Sequence, residues 1–324
     1  MFTTPIHNIN IHFVHFKSSR ADARPLLLVH GWPGSFFEFH KVAFPLANPL
    51  NLSDPAFHVI IPSIPGYGFS ASAAKQLEKL SVNAIGAIFV QLMGRLAYEK
   101  FFAQAGDWGS IITKIMAINY PKNCVAIHLN LAVAPLPSSI WYLPKKILFG
   151  IRPSFVLTSE EIDNLAATLH FQKYETAYFK IQGSKPFTLG VGLNDSPVGL
   201  LAWIAEKMCW GTVDKTDIIT NVCIYWFTQS ITSSFRIYKD NYTKSTNASY
   251  VPVPTAIALF KDISRPPAEW MQYVCNLHRF TKMPSGGHFA ALEEPTLLIE
   301  DVRAFFGTKF IRDQIPEKNG RSKL

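Results

Sequence analysis

The sequence predicts an α/β fold in which a mostly parallel sheet is flanked by helices and carries an inserted helical lid. Two observations support this prediction. Through most of the chain, short apolar runs alternate with longer amphipathic stretches, which is typical of strands connected by helices. From about residue 134 to residue 249 the alternation stops, because this region contains helix-like stretches and no credible strand.

The apolar runs predict the strands, and the amphipathic stretches between them predict the helices. Strands are expected at residues 11–16, 25–30, 58–63, 101–107, 125–131 and 255–260, and near residues 276–281. Helices are expected at residues 82–99 and 109–120, and within the insertion at residues 159–181, 197–210 and 215–242. A last helix is expected to begin at Pro295, because proline is favoured in a first helical turn.

The insertion divides the chain into three segments. Residues 1–133 are the first part of the sheet core, residues 134–249 are the lid, and residues 250–324 are the second part of the core with a C-terminal tail. Open α/β sheets bind ligands at the carboxyl ends of their strands, so we expect the lid to cover that edge of the sheet.

Composition and charge exclude several classes of partner. The formal net charge of the 324-residue chain is +8, but its lysines and arginines are scattered, which argues against a nucleic-acid partner. No apolar run reaches membrane-spanning length and the N-terminus lacks a secretion signal, so no transmembrane anchor is expected. The four cysteines show neither a CxxC pair nor metal-site spacing, which favours reduced thiols in an intracellular protein.

Residues 101–110, FFAQAGDWGS, predict a strand, a sharp turn and a helix start around Asp107. Ala105 and Gly109 flank Asp107 two residues on either side, as the glycines flank serine in the nucleophile motif GxSxG. An aspartate at this position can attack an electrophilic carbon directly and form an ester, whereas a serine needs a base to remove its proton. In the alternative interpretation, Asp107 only caps the helix that follows.

A second segment, HGWPG at residues 30–34, follows a predicted strand and forms a turn rich in glycine and proline. Such a turn exposes backbone N–H groups beside the nucleophile, where a developing oxyanion needs donors. The predicted donors are the amides of Trp32 and Trp108. The alternative is an ordinary turn between a strand and a helix.

A third segment places one of the ten histidines, His288, on a glycine-rich loop before the last helix. Asp262 follows the predicted strand at residues 255–260 and is the candidate acid; alternatively, it is a solvent-facing loop carboxylate. The chain order of nucleophile, acid and histidine is that of α/β-hydrolases.

Together these segments resemble the epoxide hydrolase family of the α/β-hydrolases, and most closely its microsomal, juvenile-hormone and fungal branch. The resemblance covers nearly the whole chain and is carried, in this order, by HGWPGSFFEF, PGYGFS, AGDWGS, DSPVGLLAWIAEK and GGHFAALEEP. It implies an α/β-hydrolase fold with Asp107 as nucleophile, His288 as base and Asp262 as acid. It also implies that Tyr178 and Tyr238, in the lid, bind and protonate the epoxide oxygen.

The chemistry implied by the resemblance is the hydrolysis of an epoxide to a vicinal diol through an Asp107 ester, with neither a metal nor an organic cofactor. Relatives in this branch carry a longer N-terminal segment, whereas about two dozen residues precede the first hydrolase strand here, near Leu26. The expected substrate is a small lipophilic epoxide, because the insertion is rich in aromatic residues. These aromatics would serve equally well as the core of the lid, and they include Trp203, Trp210, Trp226, Phe227 and Phe235.

Three other functions remain open at this point. A haloalkane dehalogenase also uses an aspartate nucleophile, and Trp108 could line a halide site; the lid tyrosines and GGHFAALEEP argue against it. A serine esterase is disfavoured because the elbow lacks serine and Ser110 lies three residues too late. A non-catalytic hydrolase-like binding protein is disfavoured because the candidate catalytic residues are all present.

The last three residues, Ser322, Lys323 and Leu324, spell the tripeptide read by the peroxisomal import receptor. The sequence therefore predicts that receptor as a partner and the peroxisome as the location, with the cytoplasm and a merely solvated basic tail as the alternatives. A peroxisomal site suits a lipid-derived epoxide. In a fungal chain, a role in secondary metabolism, such as mycotoxin biosynthesis, is a further hypothesis.

Overall fold

The computed structural model describes residues 1–7, 9–70, 79–209, 211–242 and 249–316, and its centre is an eight-stranded sheet. In spatial order the strands run β1-β2-β4-β3-β5-β6-β7-β8. The pairs β1–β2 and β2–β4 are antiparallel, and every pair from β4 to β8 is parallel. The predicted α/β-hydrolase fold with a mostly parallel sheet is therefore confirmed. The strands are β1 (Phe2–Ile6), β2 (Ile9–Phe16), β3 (Arg24–Val29), β4 (Phe57–Pro62), β5 (Phe101–Ala105), β6 (Cys124–Leu129), β7 (Val251–Leu259) and β8 (Cys275–Lys282).

All the predicted strands are present, but β1 was not predicted from the sequence. Its residues, FTTPI, form no apolar run, and Pro5 cannot donate a ladder hydrogen bond. The strand exists because it lies at the sheet edge and pairs with β2, where Phe2 faces Phe13. The strand predicted at residues 101–107 ends earlier, at Ala105, so Asp107 belongs to the following helix.

The helices lie on both faces of the sheet and in one long insertion. They are α1 (His40–Ala47), α2 (Val82–Arg95), α3 (Asp107–Asn119), α4 (Leu143–Ile151), α5 (Ser159–Tyr174), α6 (Ala177–Ser184), α7 (Pro186–Asp195), α8 (Pro197–Met208), α9 (Lys215–Thr228), α10 (Ile231–Ser234), α11 (Arg236–Asn241), α12 (Ala268–Gln272), α13 (Ala290–Glu293), α14 (Pro295–Phe306) and α15 (Lys309–Arg312). The last long helix, α14, begins at Pro295 as predicted.

Both faces of the sheet are buried, which explains why its central strands read as continuous apolar runs. Along β3, Leu27 and Val29 point into the apolar layer that packs against α2 and α3. The alternate residues Leu26 and Leu28 point into the opposite layer, against α1 and α14. The sheet is therefore held rigidly between two apolar layers, and its loops at the carboxyl ends are positioned by that core.

In the chain, helices α4 to α11 follow β6 and precede β7. These two strands are nevertheless adjacent and parallel in the sheet, so the helices form an insertion between them. The helix predicted at residues 159–181 is split into α5 and α6, and the one at 215–242 into α9, α10 and α11. The break after α9 falls at Gln229, whose φ of 52° cannot continue a helix. Within the described residues, no helix is long and apolar enough to span a bilayer.

Candidate active site

Asp107 lies at a tight turn between β5 and α3. Its φ is 45°, a left-handed conformation that a non-glycine residue adopts at some cost. A Cβ atom on Gly109 would overlap the carbonyl oxygen of Val29, so this helix start can approach β3 only with glycine at that position. Gly106, not Asp107, is the N-cap residue. The capping interpretation of Asp107 is therefore wrong, and the turn holds its carboxylate at the carboxyl end of β5.

The predicted donor turn lies directly against this carboxylate. The Trp32 N–H donates to Asp107 Oδ1 at 2.8 Å. A Cβ atom on Gly31 would overlap the Asp107 carboxylate, so only glycine permits this approach. The Trp108 amide follows Asp107 in the first turn of α3, where N–H groups have no acceptor within the helix.

His30 supports the donor turn, a role that the sequence did not suggest. Burial lowers the pKa of His30 to about 4, so its ring is neutral. The Ile64 N–H donates to His30 Nε2 at 3.1 Å, so Nε2 is the unprotonated nitrogen. The proton therefore lies on Nδ1, which donates to the carbonyl oxygen of Gly31 at 3.0 Å.

His288 is within reach of both candidate carboxylates. Its Nδ1 lies 2.6 Å from Asp262 Oδ1, and its Nε2 lies 3.4 Å from Asp107 Oδ2. The loops carrying the acid and the histidine are joined by a hydrogen bond from the Lys261 N–H to the Gly286 oxygen, 3.2 Å long. Gly286 has a φ of 87°, a conformation suited to glycine. The fold therefore brings three residues distant in sequence into one chain of contacts.

The charges around His288 determine its protonation. Burial alone would lower the pKa of His288, but the Asp262 and Asp107 carboxylates outweigh burial and raise this pKa well above 6.5. Asp262 is itself held in place, because its Oδ1 also accepts the Ile263 N–H at 2.6 Å. In the free protein, His288 is therefore an imidazolium flanked by two carboxylates.

Tyr178 on α6 and Tyr238 on α11 face the same site from the insertion. The Trp32 ring stacks on Tyr178, with centroids 5.6 Å apart, and meets Tyr238 edge-on at 5.8 Å. Tyr238 also packs edge-on against Trp108, at 5.1 Å. A hydrogen bond joins the two phenols, and burial raises the pKa of each above its ordinary value. Both phenols are therefore neutral proton donors at the pH of the cell.

A cavity of about 250 Å³ connects these groups, and Asp107, Trp108, Tyr178 and Tyr238 all line it. The remaining lining is largely apolar, with Phe171, Phe179, Ile111, Leu131 and Ile263 among it.

Of the aromatics that suggested a lipophilic substrate, the four that the structure describes do not line this cavity. Phe235 is buried in the apolar core, Trp203 and Trp226 pack against that core, and Phe227 is exposed. Trp210 lies outside the described residues. The apolar lining comes instead from Phe171 and Phe179, which the sequence did not single out because no pattern marks them.

Glu38 and Glu293 are buried or semi-buried carboxyl groups near His288 that the sequence analysis missed. Glu293 accepts the Phe289 N–H at 2.9 Å and the Thr212 N–H at 3.2 Å, so it joins the histidine loop to the insertion. Burial raises the pKa of Glu38 to about 8; the charge of His288 opposes this rise, and that of Asp107 adds to it. At neutral pH, Glu38 therefore adds little negative charge to the site.

Glu38→Gln is expected to stabilise the protein more at high pH than at low pH. Folded Glu38 holds its proton more tightly than the unfolded chain does, so its contribution is full below its ordinary pKa and is lost as the pH rises towards about 8. The gain in melting temperature over the parent protein should be larger at pH 8.5 than at pH 5, by about 3 °C. Glu99→Gln, at an exposed glutamate, is the matched control. Equal gains for Glu38→Gln at both pH values would contradict the assignment.

Ser322, Lys323 and Leu324 lie outside the described residues. Among the residues that the structure describes, no cluster of three or more histidine, cysteine or acidic side chains could hold a metal ion.

Known proteins resemble this chain over most of its length. The model of the epoxide hydrolase N terminus matches residues 1–39, and that of the alpha/beta hydrolase fold matches residues 24–167. The chain is 38% identical to epoxide hydrolase 1 of Sus scrofa, over 94% of this chain and 74% of that protein. It is also 38% identical to juvenile hormone epoxide hydrolase 2 of Ctenocephalides felis, over 99% of this chain and 74% of that protein.

A solved structure shows the same similarity. The crystal structure of juvenile hormone epoxide hydrolase from the silkworm Bombyx mori superposes with a TM-score of 0.84 at 31% identity, covering 94% of this chain and 77% of that one. The sequence identities and the structural superposition therefore indicate the same family. The chain belongs to the epoxide hydrolase family of the α/β-hydrolases.

Proposed function

We propose that this protein opens a lipophilic epoxide to a vicinal diol through a covalent Asp107 ester. The observation that carries the proposal is the cavity in which a carboxylate and two neutral phenols face each other. A carboxylate can attack a ring carbon of an epoxide only if a proton donor receives the negative charge that leaves on the ring oxygen. The cavity offers both groups, with an imidazole beside the carboxylate for the second step.

In the first step, Asp107 Oδ2 attacks one ring carbon, and the carbon–oxygen bond of the epoxide breaks. The Oδ2 atom is the suitable nucleophile, because Oδ1 is held by the Trp32 N–H and stays as the carbonyl oxygen of the ester. The electron pair of the broken bond goes to the epoxide oxygen, which takes a proton from Tyr178 or Tyr238. The product of this step is a hydroxyalkyl ester.

Ester formation changes the charge around His288. It removes the negative charge of Asp107, which is one of the two carboxylates that raise the pKa of His288, so that pKa falls. The imidazolium then releases its proton, which returns the ionised phenol to its neutral form by way of solvent in the cavity. His288 is now a base, and Asp262 holds its other nitrogen.

In the second step, His288 takes a proton from a water molecule that attacks the carbonyl carbon of the Asp107 ester. Negative charge develops on Oδ1, where the Trp32 amide and, by its position, the Trp108 amide act as donors. When the tetrahedral intermediate collapses, the bond between the carbonyl carbon of Asp107 and the alkoxy oxygen breaks. The departing alkoxide takes the second proton of the water. The diol is released, and Asp107 and His288 return to the carboxylate and imidazolium forms.

The substrate class is proposed from the apolar lining of the cavity. The experiment incubates purified protein with fatty-acid, terpenoid and styrene-type epoxides and measures diol by mass spectrometry. Diol formation above the uncatalysed rate from at least one epoxide is expected. Halide release from haloalkanes without diol formation would instead favour a dehalogenase.

Tyr178→Phe and Tyr238→Phe are each expected to slow ring opening, by roughly 10- to 100-fold, with the double variant much slower. Each single variant leaves one phenol, whereas the double variant leaves no donor for the epoxide oxygen. Single-turnover measurement of ester formation checks this. Tyr174→Phe, at a mostly exposed tyrosine of α5, is the control. If both single variants react at the parent rate, the lid tyrosines are wrongly assigned.

A peroxisomal location is a separate proposal. Ser322, Lys323 and Leu324 match an import signal that is read when the carboxyl group of the leucine is free. A fluorescent protein fused before residue 1, in a chain that ends at Leu324, should give punctate signal that coincides with a peroxisomal marker. Removal of the three residues should make the signal diffuse. A diffuse signal with the three residues intact would refute the peroxisomal location. A role in secondary metabolism stays a hypothesis.

A further inference from the structure

Lys207 is a buried cation of the insertion, and it lies against a tyrosine of the proposed active site. Its side chain is 8% exposed, although lysine side chains usually keep their ammonium group in water. The Lys207 Nζ lies over the Tyr178 ring, 4.4 Å from the ring centroid. It also forms an ion pair with Glu206, the preceding residue on α8.

The other groups around Tyr178 mostly oppose its ionisation. Burial raises the pKa of Tyr178 most, and the carboxylates of Asp107 and Asp262 raise it further. Glu206 acts in the same direction, whereas the hydrogen bond with Tyr238 lowers the pKa. A phenol in such surroundings is a weak proton donor unless a nearby positive charge stabilises the phenolate that forms.

A cation over an aromatic face is attracted by the π electrons of the ring, more strongly where water is excluded. Loss of the phenolic proton increases the electron density of the ring, so the attraction grows as Tyr178 gives up its proton. An interaction that is stronger in the transition state than in the ground state accelerates the step in which it grows.

We propose that Lys207 is a positioning residue that holds the Tyr178 ring and stabilises the negative charge reaching this phenol as it protonates the epoxide oxygen. Lys207 acts through Tyr178 and does not touch the substrate. This inference rests on the proposed epoxide hydrolysis and assigns an electrostatic role in its first step only. Ester formation should therefore depend on Lys207, and ester hydrolysis, in which Tyr178 is neutral, should not.

The test measures the two half-reactions separately, by rapid quenching and intact-protein mass measurement. Lys207→Met keeps the length and apolar stem of the side chain but removes the charge, and Lys207→Arg keeps the charge. Ester formation should slow about tenfold in Lys207→Met and stay within about threefold of the parent rate in Lys207→Arg. The rate of ester hydrolysis should change less than about twofold in both variants.

Two further variants separate this role from a structural one. Glu206→Gln breaks the same ion pair but leaves the Lys207 cation in place. It also removes a negative charge that raises the pKa of Tyr178, so ester formation in this variant should be no slower than in the parent protein. Lys173→Met is the matched control, because Lys173 Nζ lies 4.9 Å from the ring centroid of Tyr174, which is mostly exposed. It should react at the parent rate.

Several results would overturn the proposal. Ester formation at the parent rate in folded Lys207→Met would show that Lys207 does not stabilise the charge on Tyr178. Equal slowing by Lys207→Met and Glu206→Gln would show that the ion pair acts only through the structure of the insertion. If Lys207→Met fails to fold, slowed ester formation in Glu206→Gln alone would still refute the electrostatic role. Failure of the parent protein to form any ester is a distinct result, since it refutes the proposed function and this inference with it.

Discussion

Asp107→Asn is expected to lower steady diol formation by at least about a thousandfold, the scale of effect when a covalent nucleophile is removed. A neutral amide is a poor nucleophile towards an epoxide carbon, and no other carboxylate lines the cavity among the described residues. The substitution preserves the size of the side chain and the oxygen that can accept the Trp32 N–H. The fold and the cavity should therefore survive, and steady-state turnover checks the prediction.

Asp163→Asn is the matched control for this variant, because it makes the same change of charge at an exposed position of α5. It should turn over epoxide at the parent rate. Deamidation of the introduced asparagine back to aspartate must be excluded by mass measurement of freshly prepared protein. Undiminished diol formation in the verified variant would show that Asp107 is not the nucleophile.

His288→Gln is expected to separate the two half-reactions and reduce steady turnover by at least about a hundredfold. Ring opening needs Asp107 and the phenols, whereas ester hydrolysis needs a base 3.4 Å from the carboxylate, which glutamine does not provide. A covalent adduct should accumulate on Asp107, visible in the intact-protein mass as an increase equal to the mass of the epoxide.

His278→Gln tests whether loss of a histidine has this effect by itself, because His278 is exposed on β8 and stacks on Phe310. No adduct should accumulate in this control. Full turnover by His288→Gln, with no adduct on Asp107, would remove His288 from the mechanism.

The sequence predicted those parts of the site that depend on local chain geometry. The nucleophile turn is readable because Ala105 and Gly109 leave room for β5 to pass directly into α3, and the structure has that turn. The class of fold is readable because a sheet buried on both faces leaves continuous apolar runs such as β3. By contrast, Tyr178 and Tyr238 came only from family resemblance, since no local pattern distinguishes them from the other tyrosines.

Features that depend on contacts across the fold could not be predicted. Lys207 and Glu38 are ordinary charged residues in sequence, and their burial follows only from packing between segments distant in the chain. The helix breaks in the insertion were missed because neither residues 159–181 nor residues 215–242 contain a proline or a glycine that would mark a break. Tertiary packing, not local propensity, divides these stretches.

A single turnover in water enriched in oxygen-18, with protein in excess over epoxide, tests the covalent route most directly. The proposed route takes the new hydroxyl oxygen of the diol from Asp107 and places the water oxygen in the Asp107 carboxylate. The first diol formed should therefore contain no label, and the peptide that contains Asp107 should gain about 2 Da. Oxygen-18 in the first diol, with none at Asp107, would contradict the covalent route and indicate direct attack by water.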